Sequence, residues 1–313
     1  MMNTIAQLDL SHAAVIIPTW NSERFFDAFA PALLQQGLDP QQILIVDSTS
    51  TDKTVERARS LGFQIHITPR SEFNHGASRA LAATLVQWAD ILIYTTPDAI
   101  MASPDTLRTL ITAFKDPQIG AAFGRQLPHK NADYFARHAC AANYPSVSIT
   151  RDFESRRSWG FKAIFFSNNL GAYRRTALDS IGSFPSDIIT AEDSYVAAKM
   201  MLRGWKTAYI AEASVFHSHN LTLTHVFRRY FDTGVLHVRE QWLRTEYGEP
   251  RGEGFRFIQT EIGYLWKERP LLIPMACLRT ITKYLAYQAG KREAKIPIGI
   301  KKRIGNVHEY WSQ

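Results

Sequence analysis

The chain has 313 residues, of which 45% are hydrophobic and 21% charged, a balance that excludes a disordered chain. The net charge of +7 favours an anionic partner, but no recognition motif indicates a nucleic acid. Cys140 and Cys277 are too distant in sequence for a metal pair or a disulfide framework, which fits a reducing compartment. There is no signal-peptide pattern and no apolar run near the roughly 20 residues of a membrane span, so we expect a cytoplasmic protein.

The first hundred residues predict alternating strands and helices. Apolar runs that stop at polar residues predict buried strands at 13–17, 43–46, 63–67 and 91–94, with helices between them. This alternation predicts an α/β fold with a mostly parallel sheet flanked by helices. Ligands bind at the carboxyl edge of such sheets. The polar residues that follow the strands are therefore expected to converge there: Thr19, Asn21, Asp47 and Asp98.

The second half of the chain changes character near residue 220. Short strands are predicted at 121–123 and 208–210 and a helix at 194–203, whereas the chain beyond 221 is helical, aromatic and basic. We therefore predict a sheet-containing domain at 1–220 and a helical region at 221–313. Lysines and arginines lie among apolar residues after Pro270, a pattern typical of a helix on a membrane surface. A solvated helix face and a homo-oligomer contact are the alternatives.

Three acidic positions are candidates for chemistry. Asp47 directly follows a strand, where we expect it to bind a ligand, whereas nearby Asp52 is better explained as a helix cap. Asp98 follows the fourth predicted strand, and a plain loop aspartate is the alternative there. Glu192 and Asp193 open a predicted helix. A carboxylate there can act as a general base or simply interact favourably with the helix dipole.

Two histidines lie on the same side of an extended segment. His217 and His219 are two residues apart, and side chains alternate along a strand. Imidazole suits transition metals such as Mn²⁺, and carboxylates suit both Mn²⁺ and Mg²⁺. Asp98, one histidine and a diphosphate would thus complete a site for a divalent cation. A pair of surface histidines is the alternative.

A glycine at a predicted helix start is the third feature. Gly76 lies between Asn74 and Arg79, and a glycine in this position can approach an anion closely. Neither a Gly-x4-Gly-Lys-Ser/Thr phosphate loop nor a Gly-x-Gly-x-x-Gly fingerprint follows the first strand. Nicotinamide cofactors and kinase-like use of ATP are therefore disfavoured, as is a nucleotidyltransferase or hydrolase that needs a phosphate loop.

In this order and at these spacings, the motifs resemble those of the inverting family-two glycosyltransferases of the GT-A fold, over residues 12–220. VIIPTWN at 15–21 is similar to that family's opening strand and nucleotide loop, and IVDSTSTDKT at 45–54 to its second strand and base-binding aspartate. Four more motifs resemble those of bacterial rhamnosyltransferases that build O-antigens and other surface polysaccharides: NHGASR at 74–79, TPDAI at 96–100, NNLGAYRR at 168–175 and HSHN at 217–220.

The resemblance implies transfer of a sugar, usually from dTDP-L-rhamnose, to a hydroxyl of a glycan or polyprenyl-diphosphate-linked acceptor. It assigns general-base catalysis to Asp193, with Glu192 as the second choice. Trp159, Gly160 and Phe161 are expected to form an acceptor wall. The expected donor-binding residues are Pro18, Thr19, Asn21, Asp47, Asn74, Gly76, Arg79, Thr96 and Asp98.

The sequence departs from the family's Asp-x-Asp metal motif, because Thr96 stands at its first position. The resemblance therefore assigns Mg²⁺ or Mn²⁺ to Asp98, with His217 as a second ligand. A glycosyltransferase that uses a UDP-sugar and a catalytically inactive sugar-nucleotide-binding scaffold remain as alternatives. A lipid-linked acceptor would bring the protein to the inner face of the cytoplasmic membrane as a peripheral protein.

Overall fold

The computed structural model describes residues 9–249 and 252–312. Its strands are β1 Ala13–Thr19, β2 Ile43–Asp47, β3 Gln64–Ile67, β4 Ile91–Thr95, β5 Ile100–Met101, β6 Ile119–Leu127, β7 Ile149–Arg151, β8 Leu170–Arg174 and β9 Lys206–Phe216. Its α-helices are α1 Phe26–Leu34, α2 Thr54–Ser60, α3 His75–Leu85, α4 Thr106–Ile111, α5 Tyr134–Asn143, α6 Arg156–Trp159, α7 Arg175–Ser180, α8 Glu192–Leu202, α9 Leu223–Arg239, α10 Gln241–Tyr247, α11 Glu253–Glu268, α12 Ile273–Gly290 and α13 Ile298–Ile304.

The described strands form one mixed sheet in the order β3-β2-β1-β4-β8-β6-β9-β5, and β7 also pairs with β9. β1 is parallel to β2 and β4, β2 is parallel to β3, and β6 is parallel to β9. β8 is antiparallel to both β4 and β6, so β6 runs in the direction of β4. Most of the sheet therefore has its carboxyl ends at one edge, which confirms the predicted α/β fold.

The central strands are buried on both faces. Along β1, Ile17 packs with Phe29 on one side of the sheet and Ile16 packs with Tyr94 on the other. A strand covered on both faces needs apolar residues at consecutive positions, which explains the unbroken apolar runs in the sequence. Each such side chain contributes roughly 1.5–3 kcal/mol when it is removed from water. The carboxyl edge of this sheet is thus a rigid base for the residues that follow the strands.

The C-terminal helices pack through small residues. Gly234 of α9 and Gly290 of α12 bring the two backbones into contact, because a Cβ atom on Gly234 would overlap the carbonyl oxygen of Tyr287 and one on Gly290 would overlap that of Phe231. Only glycine allows so close a crossing. The α9–α12 crossing is therefore fixed by the backbone rather than by interlocking side chains.

The helical region shares its cores with the preceding residues. Phe231 of α9 packs with Ile188, and Tyr247 of α10 packs with Met201 of α8. The predicted boundary at 220 falls between β9 and α9, with continuous packing across it, and the division stays a prediction. Among the described helices, none is both long enough and apolar enough to cross a membrane.

Candidate functional site

The first two strands end in a closed hydrogen-bond network around Asp47. The Thr19 hydroxyl donates to Asp47 Oδ2 at 2.8 Å, and Ser50 donates through its backbone N–H to Oδ1 at 2.7 Å and through its hydroxyl to Oδ2 at 2.6 Å. Asp47 has no exposed surface and Thr19 almost none. In this structure the Asp47 carboxylate joins the loops after β1 and β2, and its predicted contact with a base stays a prediction.

Trp20 and Asn21, which follow β1, are more accessible than Asp47. Asn21 has a left-handed backbone (φ 47°), and its side-chain oxygen accepts the Thr51 N–H at 2.8 Å. Pro18, one residue before the end of β1, is only partly buried. Trp20 is half exposed, and the Arg70 guanidinium lies 4.1 Å from its ring centre, a cation–π contact that was not predicted from the sequence.

Arg70 also connects this edge to the C-terminal region. Its guanidinium lies 4.7 Å from the ring centre of Phe73 and donates to Glu309 at 2.6 Å. Arg70 and Glu309 are separated by 239 residues in sequence. The loop beside Trp20 is thus held in part by a residue from the other end of the fold.

The start of α3 is closed by protein atoms. The Asn74 side chain caps the helix and accepts the N–H groups of Gly76 at 2.9 Å and Ala77 at 3.0 Å. A Cβ atom on Gly76 would overlap the carbonyl oxygen of Pro185. Pro185 thus takes the space beside Gly76 and Asn74 accepts the free N–H groups, and the predicted approach of an anion to Gly76 stays a prediction.

Arg79 of α3 is buried and points at Glu192, not at open solvent. Its guanidinium lies 2.9 Å from Glu192 Oε1, and both side chains are less than 10% exposed. Burial opposes ionisation of Glu192, but the Arg79 charge lowers the pKa of that carboxyl below its usual value. Arg79 therefore holds Glu192 as an anion, which differs from the predicted contact between Arg79 and a donor.

Asp193 has the opposite electrostatic environment to its neighbour. Burial and the negative charge of Glu192 together raise the pKa of Asp193 to about 7. The backbone N–H groups of Ser194 and Asn168 donate to the Asp193 carboxylate at 2.7 and 3.2 Å. Two adjacent carboxyls thus have pKa values pushed apart, an arrangement suited to one proton acceptor beside one fixed anion.

Asp98 meets both histidines of the HSHN motif. Asp98 Oδ2 lies 3.5 Å from His217 Nε2 and 3.6 Å from His219 Nε2, and the Thr96 hydroxyl donates to Oδ1 at 2.6 Å. Burial works against the charge, but hydrogen bonds from His217 and Thr96 lower the pKa of Asp98, so it is a carboxylate at neutral pH. Burial also lowers the pKa of His219 to about 4, which leaves its imidazole neutral.

These three side chains fit a divalent cation. One potential ligand atom from each of Asp98, His217 and His219 lies within 4.8 Å of the others. A carboxylate oxygen with two imidazole nitrogens suits Mn²⁺, and carboxylates also bind Mg²⁺. His219 thus joins the predicted pair of Asp98 and His217. Gln126 Oε1 lies 3.0 Å from His217 Nδ1 and orients that ring, a partner that the sequence did not reveal.

Asn168 and Asn169 connect the carboxylate pair to the histidines. Asn168 donates from its side chain to Glu192 at 3.3 Å, and Asn169 contacts the ring nitrogens of His217 at 2.9 and 3.0 Å. The backbone carbonyl of Asn169 also accepts the Thr95 hydroxyl at 2.9 Å. The two clusters therefore meet at one loop before β8. The signal in the sequence was the NNLGAYRR motif at 168–175, which begins with these two amides.

The predicted acceptor residues lie at the junction of α6 and the following turn. Trp159 is 37% exposed, and Gly160 adopts a left-handed φ of 54°. The Phe161 ring packs edge-on against His237 of α9, with 4.9 Å between ring centres. Trp159 thus offers an aromatic face to solvent, while Phe161 contacts the helical region.

Known proteins support this assignment at the level of family. A family model described as Glycosyl transferase family 2 matches residues 14–182. The chain is 41% identical over 299 residues to the O-antigen chain rhamnosyltransferase RfbN of Salmonella typhimurium, with 95% of each chain covered. It is 38% identical over 303 residues to the O-antigen chain rhamnosyltransferase WbaN of Salmonella anatum, again with 95% of each chain covered.

Solved structures support the fold. The mannosyltransferase PcManGT from Pyrobaculum calidifontis, in complex with GDP-Man and Mn²⁺, is similar with a TM-score of 0.61 at 18% identity, over 90% of this chain and 86% of that one. S. aureus TarS in complex with UDP has a TM-score of 0.53 at 15% identity, over 90% of this chain and 92% of that one. The expected GT-A fold is confirmed, and the chain belongs to glycosyl transferase family 2 as a glycosyltransferase of polysaccharide synthesis.

Proposed function

We propose that this glycosyltransferase transfers an L-rhamnosyl group from dTDP-L-rhamnose to a hydroxyl of a bacterial surface glycan, with inversion at the anomeric carbon. The observation that carries the proposal is the loop at Asn168 and Asn169, which joins a proton-accepting carboxyl to a cation-binding triad. The choice of rhamnose is supported by the names of the relatives that match 95% of the chain.

The donor diphosphate would bind near Asp98, with the nucleoside along the edge formed by Pro18, Trp20 and Asn21. Asp98, His217 and His219 would hold Mg²⁺ or Mn²⁺, which when bound supplies positive charge that stabilises a departing nucleoside diphosphate. Thr96 keeps the Asp98 carboxylate in position through its hydroxyl.

Asp193 would accept the proton of the acceptor hydroxyl. As that oxygen forms its bond to the anomeric carbon, the bond from this carbon to the diphosphate oxygen breaks and the diphosphate leaves with the electron pair. A base with a pKa near the working pH is the most efficient proton acceptor, and Asp193 has this property. Glu192 is less suited because Arg79 holds it as a buried ion pair. A β-linked donor would give an α-linked product.

Trp159 would provide an apolar surface for an acceptor sugar, and Phe161 and Gly160 would shape the turn that carries it. In the same proposal, the acceptor glycan is carried on polyprenyl diphosphate at the inner face of the cytoplasmic membrane, and the enzyme works in the cytoplasm. The helical region 221–313 then serves as the part that faces this acceptor.

A second candidate is transfer from a UDP-sugar by the same chemistry. It is favoured by the likeness in fold to TarS, which was solved in complex with UDP. A third is an inactive sugar-nucleotide-binding scaffold, favoured by Thr96 in place of a metal-binding carboxylate. The position of Asp193 argues for an enzyme, because its raised pKa is combined with a loop, Asn168 and Asn169, that leads to the candidate cation-binding residues, and a scaffold has no need of that combination.

The test is calorimetric titration with dTDP, UDP and GDP, with Mn²⁺ or Mg²⁺ and then with EDTA. We expect dTDP to bind most tightly and to lose affinity in EDTA, and Asp98→Asn to lose that metal dependence. Asp105→Asn, a change at an exposed aspartate, is the matched control. Tighter binding of UDP would favour the second candidate, and no binding of any of the three would contradict the proposal.

A further inference from the structure

The outer face of α12 is apolar along its whole length. Within Ile273–Gly290, all of which the structure describes, the charged side chains are Arg279 and Lys283, and both turn towards the protein. The residues that face outward recur every three or four positions, as expected for one side of a helix. We call them the α12 stripe: Leu271, Met275, Leu278, Ile281, Tyr284 and Leu285.

The α12 stripe is large and well exposed. Leu278, Ile281 and Leu285 are 45%, 55% and 56% exposed, and Leu271 before the helix is 86% exposed. At 1.5 Å per residue, the stripe extends for about 20 Å. Large apolar side chains that share one face at this exposure indicate a binding surface. The fold itself leaves this surface uncovered.

Both ends of the stripe are basic. Residues 266–304 contain ten of the chain's 36 lysines and arginines but only two of its 29 acidic residues. The +8 of this segment exceeds the +7 of the whole chain, so the rest of the protein is nearly neutral. Exposed basic side chains flank the stripe on both sides: Lys267, Arg269, Lys291, Arg292 and Lys295. Exposed Trp266 lies at the first of these ends.

The charge distribution indicates what kind of partner binds the α12 stripe. If two copies of the chain paired through their stripes, a basic end would meet a basic end in either orientation, which is unfavourable. An anionic phospholipid surface instead neutralises both ends while its acyl boundary covers the apolar residues. Tryptophan and tyrosine, present here as Trp266 and Tyr284, suit the interface between headgroups and acyl chains.

The α12 helix is also tied to the candidate site. The Arg279 guanidinium donates to the carbonyl of Leu221 at 2.9 Å, two residues after His219. The same guanidinium lies 4.4 Å from the ring centre of Phe135 in α5. An external surface that binds α12 would therefore lie close to the loop that carries the candidate cation-binding histidines.

We propose that the α12 stripe and its basic ends dock this protein on an anionic phospholipid surface, with α12 lying in the plane of the interface. This inference deepens the proposed function, on which it rests for the lipid-linked nature of the acceptor. The docking itself depends only on the exposed residues of the helical region. The apolar side chains enter the outer acyl boundary and the basic ends contact the headgroups, and none of the described helices needs to span the bilayer.

The experiment is co-sedimentation of the full chain with vesicles of phosphatidylcholine alone or mixed with phosphatidylglycerol. We expect binding to the mixed vesicles only, weakened by salt. The triple variant Leu278→Gln, Ile281→Gln, Leu285→Gln should lower the partition coefficient at least about tenfold. Arg292→Gln and Lys295→Gln should each lower it about fivefold.

Matched controls carry the same changes on other faces. Leu85→Gln, Val147→Gln and Leu202→Gln remove three exposed apolar side chains outside the helical region, and Arg59→Gln and Arg203→Gln remove two exposed charges there. These controls should bind as the unchanged protein does. Equal loss in the controls, or no binding to the mixed vesicles, would overturn the docking proposal. So would a dimer in sedimentation velocity that the stripe variant dissociates.

The experiments distinguish a failure of the docking proposal from a failure of the proposed function. Titration of the stripe variant with dTDP should give the affinity of the unchanged protein, which also establishes that the variant is folded. Loss of vesicle binding with intact dTDP binding is the expected result for that variant. If the unchanged protein binds vesicles but no nucleotide, the proposed function fails and the docking surface stands.

Discussion

The sheet and the C-terminal helices bury apolar residues in different ways. β1, β2 and β4 lie in the middle of the sheet, and large side chains fill both of their faces. In α12 the buried residues are small (Ala276, Ala286 and Gly290), and the large ones point outward. The first arrangement gives a closed and rigid support for a site, whereas the second leaves apolar surface for something outside the chain.

The comparison extends to buried carboxyls. Asp193 at the sheet edge and Asp232 in α9 both have a pKa raised to about 7, mainly by burial. Asp232 accepts the backbone N–H groups of Asn306 and Val307, so it anchors the last turns of the helical region. A raised pKa is therefore not in itself a sign of catalysis, and the surroundings decide the role.

The largest effect should come from replacing Asp193 and Asp232 in separate variants. Asp193→Asn should lower kcat by about 10²- to 10⁴-fold, since a general base contributes about that much, and should leave dTDP affinity unchanged. Asp232→Asn, the matched control, keeps an oxygen for its two N–H donors and should change kcat by less than about threefold. Transfer assays with titration of dTDP measure both. Full activity of Asp193→Asn would contradict its role as the base.

The next effect concerns the ion pair beneath the site. Arg79→Met should lower the free energy of unfolding by about 3–5 kcal/mol, because it leaves Glu192 buried without a positive partner. Adding Glu192→Gln should recover part of that loss. Arg57→Met breaks a pair with the well-exposed Asp27 and should cost about 1 kcal/mol or less. Urea unfolding compares the variants, and equal losses for Arg79→Met and Arg57→Met would refute the buried pair.

A smaller effect should distinguish two helical glycines. Gly290→Ala should destabilise the protein by about 1–3 kcal/mol, because the added methyl overlaps the Phe231 carbonyl. Gly263→Ala in α11 adds the same methyl to open space and should stabilise by about 1 kcal/mol through helix propensity. Thermal and urea unfolding measure both. The same sign for the two changes would show that the close α9–α12 crossing is not maintained.

The mildest test is the pH dependence of transfer. Because Asp193 must be deprotonated to accept a proton, and its pKa is about 7, kcat/KM should rise with pH and level off above about 7. Below that value it should fall about tenfold per pH unit. The profile of Asp232→Asn should match that of the unchanged protein. A flat profile from pH 5 to 8 would argue against a base with a raised pKa.

The fold was predictable where burial dictates the sequence pattern. The runs at 13–17 and 43–46 predicted β1 and β2 to within two residues, since strands buried on both faces need consecutive apolar residues. The predicted strand at 208–210 lies inside β9, which extends over Lys206–Phe216. Its later part alternates buried residues with partly or fully exposed ones such as Glu212 and Phe216, so no continuous apolar run marks it.

The site was predictable where charge marks it. Asp98, His217 and Asp193 follow strands or open a helix, and the structure brings Asp98 and His217 together. Asn168 contacts Asp193 through its backbone N–H and Glu192 through its side chain, and the sequence does not indicate that these partners lie beside it. Nor does a sequence indicate which atom approaches a glycine, and beside Gly76 that atom is the Pro185 carbonyl oxygen.

The ion pair between Arg70 and Glu309 has a consequence for the order of synthesis. A chain emerging from the ribosome makes Trp20 and Arg70 early, but the partner of Arg70 appears 239 residues later. The edge beside Trp20 therefore acquires its final shape only after translation has passed residue 309. A nascent chain that ends before this point contains the sheet strands up to β9 but lacks one of the contacts that shape this edge. The sheet can therefore form before the edge beside Trp20 is complete.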